Sequence, residues 1–266
     1  MLIPLSLGLA VGLILALTGA GGGILAVPLL VFGTHIGVAQ AGPIGLMAVG
    51  MAAALGAILG LRAGVVRYRA ALLVAVTGML FSPAGLWLAR RIDNRWLSML
   101  FALTLLYVAF NTVHKARGGK ADPAASRART PLCVRGADSG RFVWTRPCAG
   151  ALALSGSVAG LLSGLLGVGG GFVMVPALQR YTDLAMQSAV ATSLAVIALI
   201  SAAGVASSAA SGALAWSIAL PFSAGALAGM AGGRTLSKLL SGPHLQIAFA
   251  AVSALVALGM IAKALL

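Results

Sequence analysis

The sequence predicts an all-α polytopic membrane protein built as two homologous repeats, and three observations carry that prediction. Sixty percent of the 266 residues are hydrophobic and only 8% are charged, against roughly 25% charged in soluble globular chains. Several apolar runs reach about 20 residues, the length that spans a hydrocarbon core as a helix. Sliding the chain by 148 positions lays 1–118 on 149–266 without a gap and with 28 identities. That count is modest for so biased a composition, but the matches cluster. GLILALTGAGGGILAVP at 12–28 falls on GLLSGLLGVGGGFVMVP at 160–176, and nine of the seventeen agree. Domain limits follow: a first membrane repeat at 1–118, a basic linker at 119–148 and a second repeat at 149–266.

Each repeat opens with an apolar run, 2–18 or 149–166, that reaches the glycines. A shorter run follows, 24–33 or 172–179, and then three longer ones. Those are 42–61, 70–89 and 96–113 in the first repeat, and 189–210, 216–236 and 244–262 in the second. About four transmembrane helices per repeat are expected, the first of each broken at its GGG motif. Three successive glycines are each about 1 kcal/mol worse than alanine in a helix. Pro28 and Pro176, five residues beyond Gly23 and Gly171, each remove a further backbone donor. An unbroken run of about 32 apolar residues would also measure about 48 Å, too long for a core of about 30 Å.

The stretch 114–148 carries eight basic and two acidic residues among scattered Gly, Pro and Ser, so it cannot build an apolar core and reads as a linker. Its two cysteines, Cys133 and Cys148, match no metal or redox spacing and read as ordinary thiols. The net charge of +14 would suggest nucleic acid in a soluble chain. Here the basic residues lie between apolar runs, where membrane orientation explains them, and no nucleic-acid partner is expected. The chain enters an apolar run at once, with no Lys or Arg in its first sixty residues, which is unlike a signal peptide.

Unwound backbone at membrane depth is tolerated only where protein or a polar cavity surrounds it. Interrupted segments at matching positions of two repeats are the best sequence pointer to a transporter's binding site. The half-helix after each break offers free N–H groups and a positive dipole end, which suit an anion. The candidate substrate-binding residues are therefore Gly19, Gly21, Gly22, Gly23 and Pro28 with Gly167, Gly169, Gly170, Gly171 and Pro176. Isolated glycines such as Gly50 and Gly60 read as helix packing. Thr192 and Ser193, in AVATSLAV, fall opposite Ile44 and Gly45 of the other repeat. Their hydroxyls could hold an oxyanion or bond back to their own helix, and both readings stand. Arg234 and Lys263 read as interfacial.

Absences exclude several functions. No Asp or Glu lies inside a long apolar run, so the carboxylate relay of a proton pump is missing. There is no metal-ligand spacing, no nucleophile with a base partner and no Walker motif. An enzyme is not expected, and no cofactor is implied.

With two GxGGG-x4-P motifs, the AVATSL stretch and GALAW at 212–216, the chain resembles the TauE/SafE sulfite-exporter-like family over nearly its whole length outside 114–148. That resemblance implies about eight helices in a bacterial inner membrane and transport of sulfite, organosulfonates or similar small sulfur anions. The family's glycine motif carries over onto the glycines and prolines named above, and its hydroxyl stretch onto Thr192 and Ser193. Ile44, Gly45 and Leu86 depart from the family pattern, so the site is expected to be asymmetric or its substrate different. The expected function is a secondary transporter of small anions, with a channel-like pathway or a non-transporting scaffold as alternatives. Its partners are the small anion and the lipid bilayer, and homo-oligomerisation is left open.

Topology divides the arguments. Four crossings per half would run the repeats parallel, with twelve basic residues on the linker side and six opposite. Five would invert them, at fourteen and four. Because 24–33 covers only about 15 Å, four crossings per half and a cytoplasmic linker are the expectation. A hairpin with its tip buried at membrane depth reconciles length with charge.

Overall fold

The computed structural model describes residues 2–117, 133, 145–237 and 243–265. Ten α-helices occupy these residues. The first half holds α1 (Leu2–Thr18), a 3-10 segment (Gly19–Leu25), α2 (Ala26–Thr34), α3 (Val38–Arg62), α4 (Tyr68–Arg91) and α5 (Asn94–Arg117). The second holds α6 (Arg146–Leu166), α7 (Gly171–Tyr181), α8 (Met186–Ala210), α9 (Trp216–Ser237) and α10 (Pro243–Leu265). Five of them are long and apolar enough to cross a membrane, with shorter apolar helices beside them. The protein is a multi-pass, all-α membrane protein. Shifted by 148 positions, α8 falls on α3 end for end. The joints repeat as well: Gly64 and Gly212, just past α3 and α8, have φ of 68° and 66°. This left-handed conformation ends a helix most cheaply at glycine.

Each broken segment doubles back. Gly33 in α2 packs against Leu7 of α1, and Gly22 lies against the backbone of Ile14, so α2 returns along α1 toward the side where α1 began. In the second half Gly170 lies beside the Ala159 carbonyl, halfway down α6. The residue after α7, Thr182, then bridges to Cys133, which is bonded to Cys148 in the first turn of α6. With 9 and 11 residues, α2 and α7 extend only about 14 and 16 Å. Short joints follow α3, α4 and α8, and the end of α10 returns to α2 through Lys263 and Val31, so every half has five antiparallel legs, four of them long.

An odd number of legs inverts the second half, and helix pairing shows the inversion directly. Gly50, Gly56 and Gly60 of α3 meet Ser201, Leu194 and Ala191 of α8 in descending order. These two equivalent helices are antiparallel. Gly8 and Gly12 of α1 meet Phe222 and Ala226 of α9 in ascending order, and Gly156, Gly160 and Gly164 of α6 climb past Val74, Gly78 and Ser82 of α4. Those pairs are parallel, as inversion requires. Lipid supplies no hydrophobic drive between helices, so close backbone contact at small residues holds them together. The packing role expected of Gly50 and Gly60 is what these contacts show. The four-crossing, parallel arrangement is corrected, and the alternative of a hairpin with a buried tip describes the broken segments; their length alone is the same whether they turn round or continue across.

A second correction concerns the cysteines. Cys133 and Cys148 are joined as a disulfide, and the Cys133 N–H donates to the Tyr181 carbonyl at 2.9 Å. Spacing alone could not foresee a pair formed where the end of α7 meets the start of α6. The remainder of the 119–148 linker up to residue 144 lies outside the described residues. Its last residues, from Arg146, already belong to α6, where the Thr145 side chain caps the Cys148 N–H.

Candidate functional site

The breaks fall where the glycines predicted, with unequal geometry. In the first half the glycines form the 3-10 segment, in which Gly19 alone has positive φ, at 74°. In the second, Gly167 ends α6 with φ 71° and donates its N–H to the Ser163 carbonyl. Gly169 and Gly170 follow at 77° and 70°. Gly170 is the N-cap of α7, and its carbonyl accepts the N–H groups of Val173 and Met174 at 3.1 and 3.2 Å. The N–H groups of Gly171 and Phe172, first in α7, have no intrahelical acceptor before them. Pro28 lies in the first turn of α2 and Pro176 in the middle of α7.

The inverted halves bring both breaks together. A Cβ added at Gly23 would stand 3.3 Å from the Val168 carbonyl oxygen and 2.9 Å from Val49 of α3. One at Gly45 would stand 2.8 Å from the Gly167 oxygen, and Gly42 also faces Gly167. Gly19 is packed in the equivalent way on Val190 of α8. Two unwound segments therefore meet inside the protein between the crossed helices α3 and α8. The surroundings are apolar, and Gly22, Gly23, Val168 and Gly169 are all buried.

The two predicted hydroxyls divide. The Thr192 oxygen accepts the Arg67 N–H at 3.1 Å, so it fastens the start of α4 to α8. Ser193 lies about 100° further round the helix and one turn beyond Val190, the residue against Gly19. Its hydroxyl is buried without a partner. Two residues were missed from the sequence. Ser201, further along α8, is buried, unpartnered and faces Gly169. Its signal was a hydroxyl inside an apolar run, eight residues after Ser193 and on a similar face. Arg67, whose backbone N–H meets Thr192, keeps its side-chain Nε buried and unpartnered, and nothing in the sequence singled it out. The side chain of Arg234 lies outside the described residues. Lys263 reaches from α10 to the Val31 carbonyl at 3.5 Å, near the C-terminus of α2 where a cation is favoured.

Both Asp among the described residues, Asp93 and Asp183, lie outside the helices, so among the described residues no carboxylate would repel an anion at the breaks. A shallow apolar groove lined by Arg69, Leu72, Leu73, Val76 and Thr77 belongs to α4 alone, away from this junction.

The sequence profile of a family described as "Sulfite exporter TauE/SafE" matches residues 5–260. A probable membrane transporter protein of Xylella fastidiosa strain 9a5c is 30% identical over 244 residues, covering 91% of this chain and 86% of the relative. One from Xylella fastidiosa strain Temecula1 is 28% identical over 246 residues, with the same coverage. A further probable membrane transporter protein, from Bacillus subtilis, is 28% identical over 228 residues, covering 83% of this chain and 82% of its own length. No solved structure matches.

Proposed function

This chain belongs to the sulfite exporter TauE/SafE family, and from that premise we propose that it is a secondary transporter of small anions. Sulfur oxyanions such as sulfite or organosulfonates are the substrate class, and the bacterial inner membrane is the site of action. One observation carries the reading: two glycine breaks from inverted halves converge at Gly23 and Val168, and the half-helix α7 starts there. A half-helix N-terminus attracts negative charge through its unpaired N–H groups and dipole. Inverted repeats built around discontinuous helices suit alternating access, in which one half rocks against the other. Gly19, Gly21, Gly22 and Gly23 with Gly167, Gly169, Gly170 and Gly171 form the binding backbone in this reading. Pro28 and Pro176 limit how the half-helices can rewind, and Ser193 supplies a hydroxyl.

Fourteen of the eighteen basic residues fall on the linker side once the halves are inverted. The positive-inside rule then orients the linker to the cytoplasm. The test is counterflow in proteoliposomes: unlabelled sulfite or sulfonate inside should drive uptake of the labelled anion. A channel dissipates the gradient without counterflow, and a scaffold gives no flux, so either outcome overturns the proposal.

A further inference from the structure

We propose that Ser201 is a substrate-contacting residue and that the site it completes selects singly charged oxyanions through uncharged donors. The inference rests on the transporter reading and deepens it. Ser201 is 1% exposed in the middle of α8, and its hydroxyl has no hydrogen-bond partner. Six other buried serines share that state, Ser82, Ser163, Ser193, Ser208, Ser223 and Ser253, so what sets Ser201 apart is its place beside Gly169. The hydroxyls of Thr77, Thr104, Thr112, Ser155 and Ser157 all bond back to the carbonyl four residues earlier, as helical hydroxyls do. The Ser201 hydroxyl makes no such bond to the Ile197 carbonyl.

What surrounds it points to a ligand. A Cβ at Gly169 would lie 3.3 Å from the Ser201 oxygen, and one at Gly50 of α3 would lie 3.4 Å from it. Both neighbours are glycines, so no side chain stands between the hydroxyl and the unwound backbone. Gly169 immediately precedes Gly170, the N-cap of α7. The first N–H groups of α7 have no acceptor of their own in the helix. A small movement at this joint would expose a hydroxyl donor and a helix N-terminus to the same point. The aligned residue of the first half is Ala53, so only the second break has this hydroxyl.

The donor set also sets the charge. In α7 and α8 the one basic residue is Arg180, near the end of α7, and the walls at the junction are Val49, Val168 and Ile197. Desolvating an ion without a paired counter-charge becomes steeply worse as its charge rises. A hydroxyl and helix N–H groups suit a monoanion with several acceptor oxygens, such as a sulfonate. A dianion would need an arginine or lysine.

The experiment uses the full chain in proteoliposomes, with labelled methanesulfonate as the singly charged probe and thiosulfate as the doubly charged one. Wild-type counterflow should favour methanesulfonate. Losing a hydrogen bond to a charged ligand in Ser201→Ala should raise the half-saturating concentration about tenfold or more, and Ser201→Thr, which keeps the hydroxyl, should restore most of it. Ser253→Ala removes an equally buried and unpartnered hydroxyl from α10 and should change nothing. Unchanged saturation in Ser201→Ala, or a preference for thiosulfate, overturns the proposal while leaving transport standing. Absence of counterflow with every anion removes the transporter reading instead. Ser201 is then judged on methanesulfonate-induced thermal stabilisation in detergent: a shift lost in Ser201→Ala supports it, whereas equal shifts or none overturn it.

Discussion

Replacing Gly169 by alanine tests the second break in a way that separates backbone strain from packing. At φ 77° any L side chain is strained, by about 1–2 kcal/mol. The new Cβ would also stand 2.7 Å from Cγ2 of Ile197, where carbon atoms prefer about 3.5–4.0 Å. Relieving roughly 1 Å of overlap typically costs about 1–3 kcal/mol. The sum is about 2–5 kcal/mol. Gly64 provides the control, because its φ is 68° but nothing lies within 4 Å of an added Cβ. Gly64→Ala should therefore show the strain alone, about 1–2 kcal/mol. Thermal unfolding of detergent-solubilised protein, followed by tryptophan fluorescence, reads the difference at about 2–4 °C per kcal/mol. A few degrees are expected for Gly64→Ala and two to three times that shift for Gly169→Ala, with counterflow lost only in the latter. Equal shifts in the two variants would falsify the crowded left-handed geometry at the second break.

Three further outcomes follow from the fold. Five legs per half place both termini opposite the linker, so a C-terminal alkaline phosphatase fusion should be active in the periplasm; activity only of a cytoplasmic reporter sinks the inverted arrangement. The fold joins Cys133 to Cys148; with the linker on the cytoplasmic side, as proposed, that bond should form only on exposure to oxidant, and both thiols should alkylate in rapidly quenched cells. Recovery of the oxidised pair from such cells would move the linker outside. Thr192→Val removes the acceptor of the Arg67 N–H and should destabilise the protein by about 1 kcal/mol without altering the preference among anions. A changed selectivity would return Thr192 to the substrate site.

How far the sequence could be read depended on whether a feature was local. The glycine breaks are local: GGG followed by proline resists helix whatever surrounds it, and Gly19 and Gly167 both take left-handed conformations. Packing glycines were legible for a similar reason, since small residues in apolar runs must face another helix. The direction of the chain after each break was not, because 24–33 is equally short whether it continues or returns. Contacts between distant residues, such as Gly33 with Leu7 and Gly170 with Ala159, distinguish the two. The disulfide, the Thr192 bond to Arg67 and the position of Ser201 each depend on segments far apart in sequence. No spacing rule reaches across 125 residues from Arg67 to Thr192.

The unequal breaks have a consequence for the direction of transport. One motif appears in two settings on one chain, as a 3-10 segment and as a turn of three left-handed glycines. In an inverted pair of truly identical halves, exchanging the two settings would regenerate the same molecule facing the opposite side, and neither facing would be preferred. Any resting bias must therefore come from positions where the halves differ. Ser193 against Gly45, Thr192 against Ile44 and Ser201 against Ala53 are such positions, all on the crossed helices at the centre. In the proposed carrier these three central mismatches, out of the 90 among 118 aligned positions, are the ballast placed to decide which way it faces when empty.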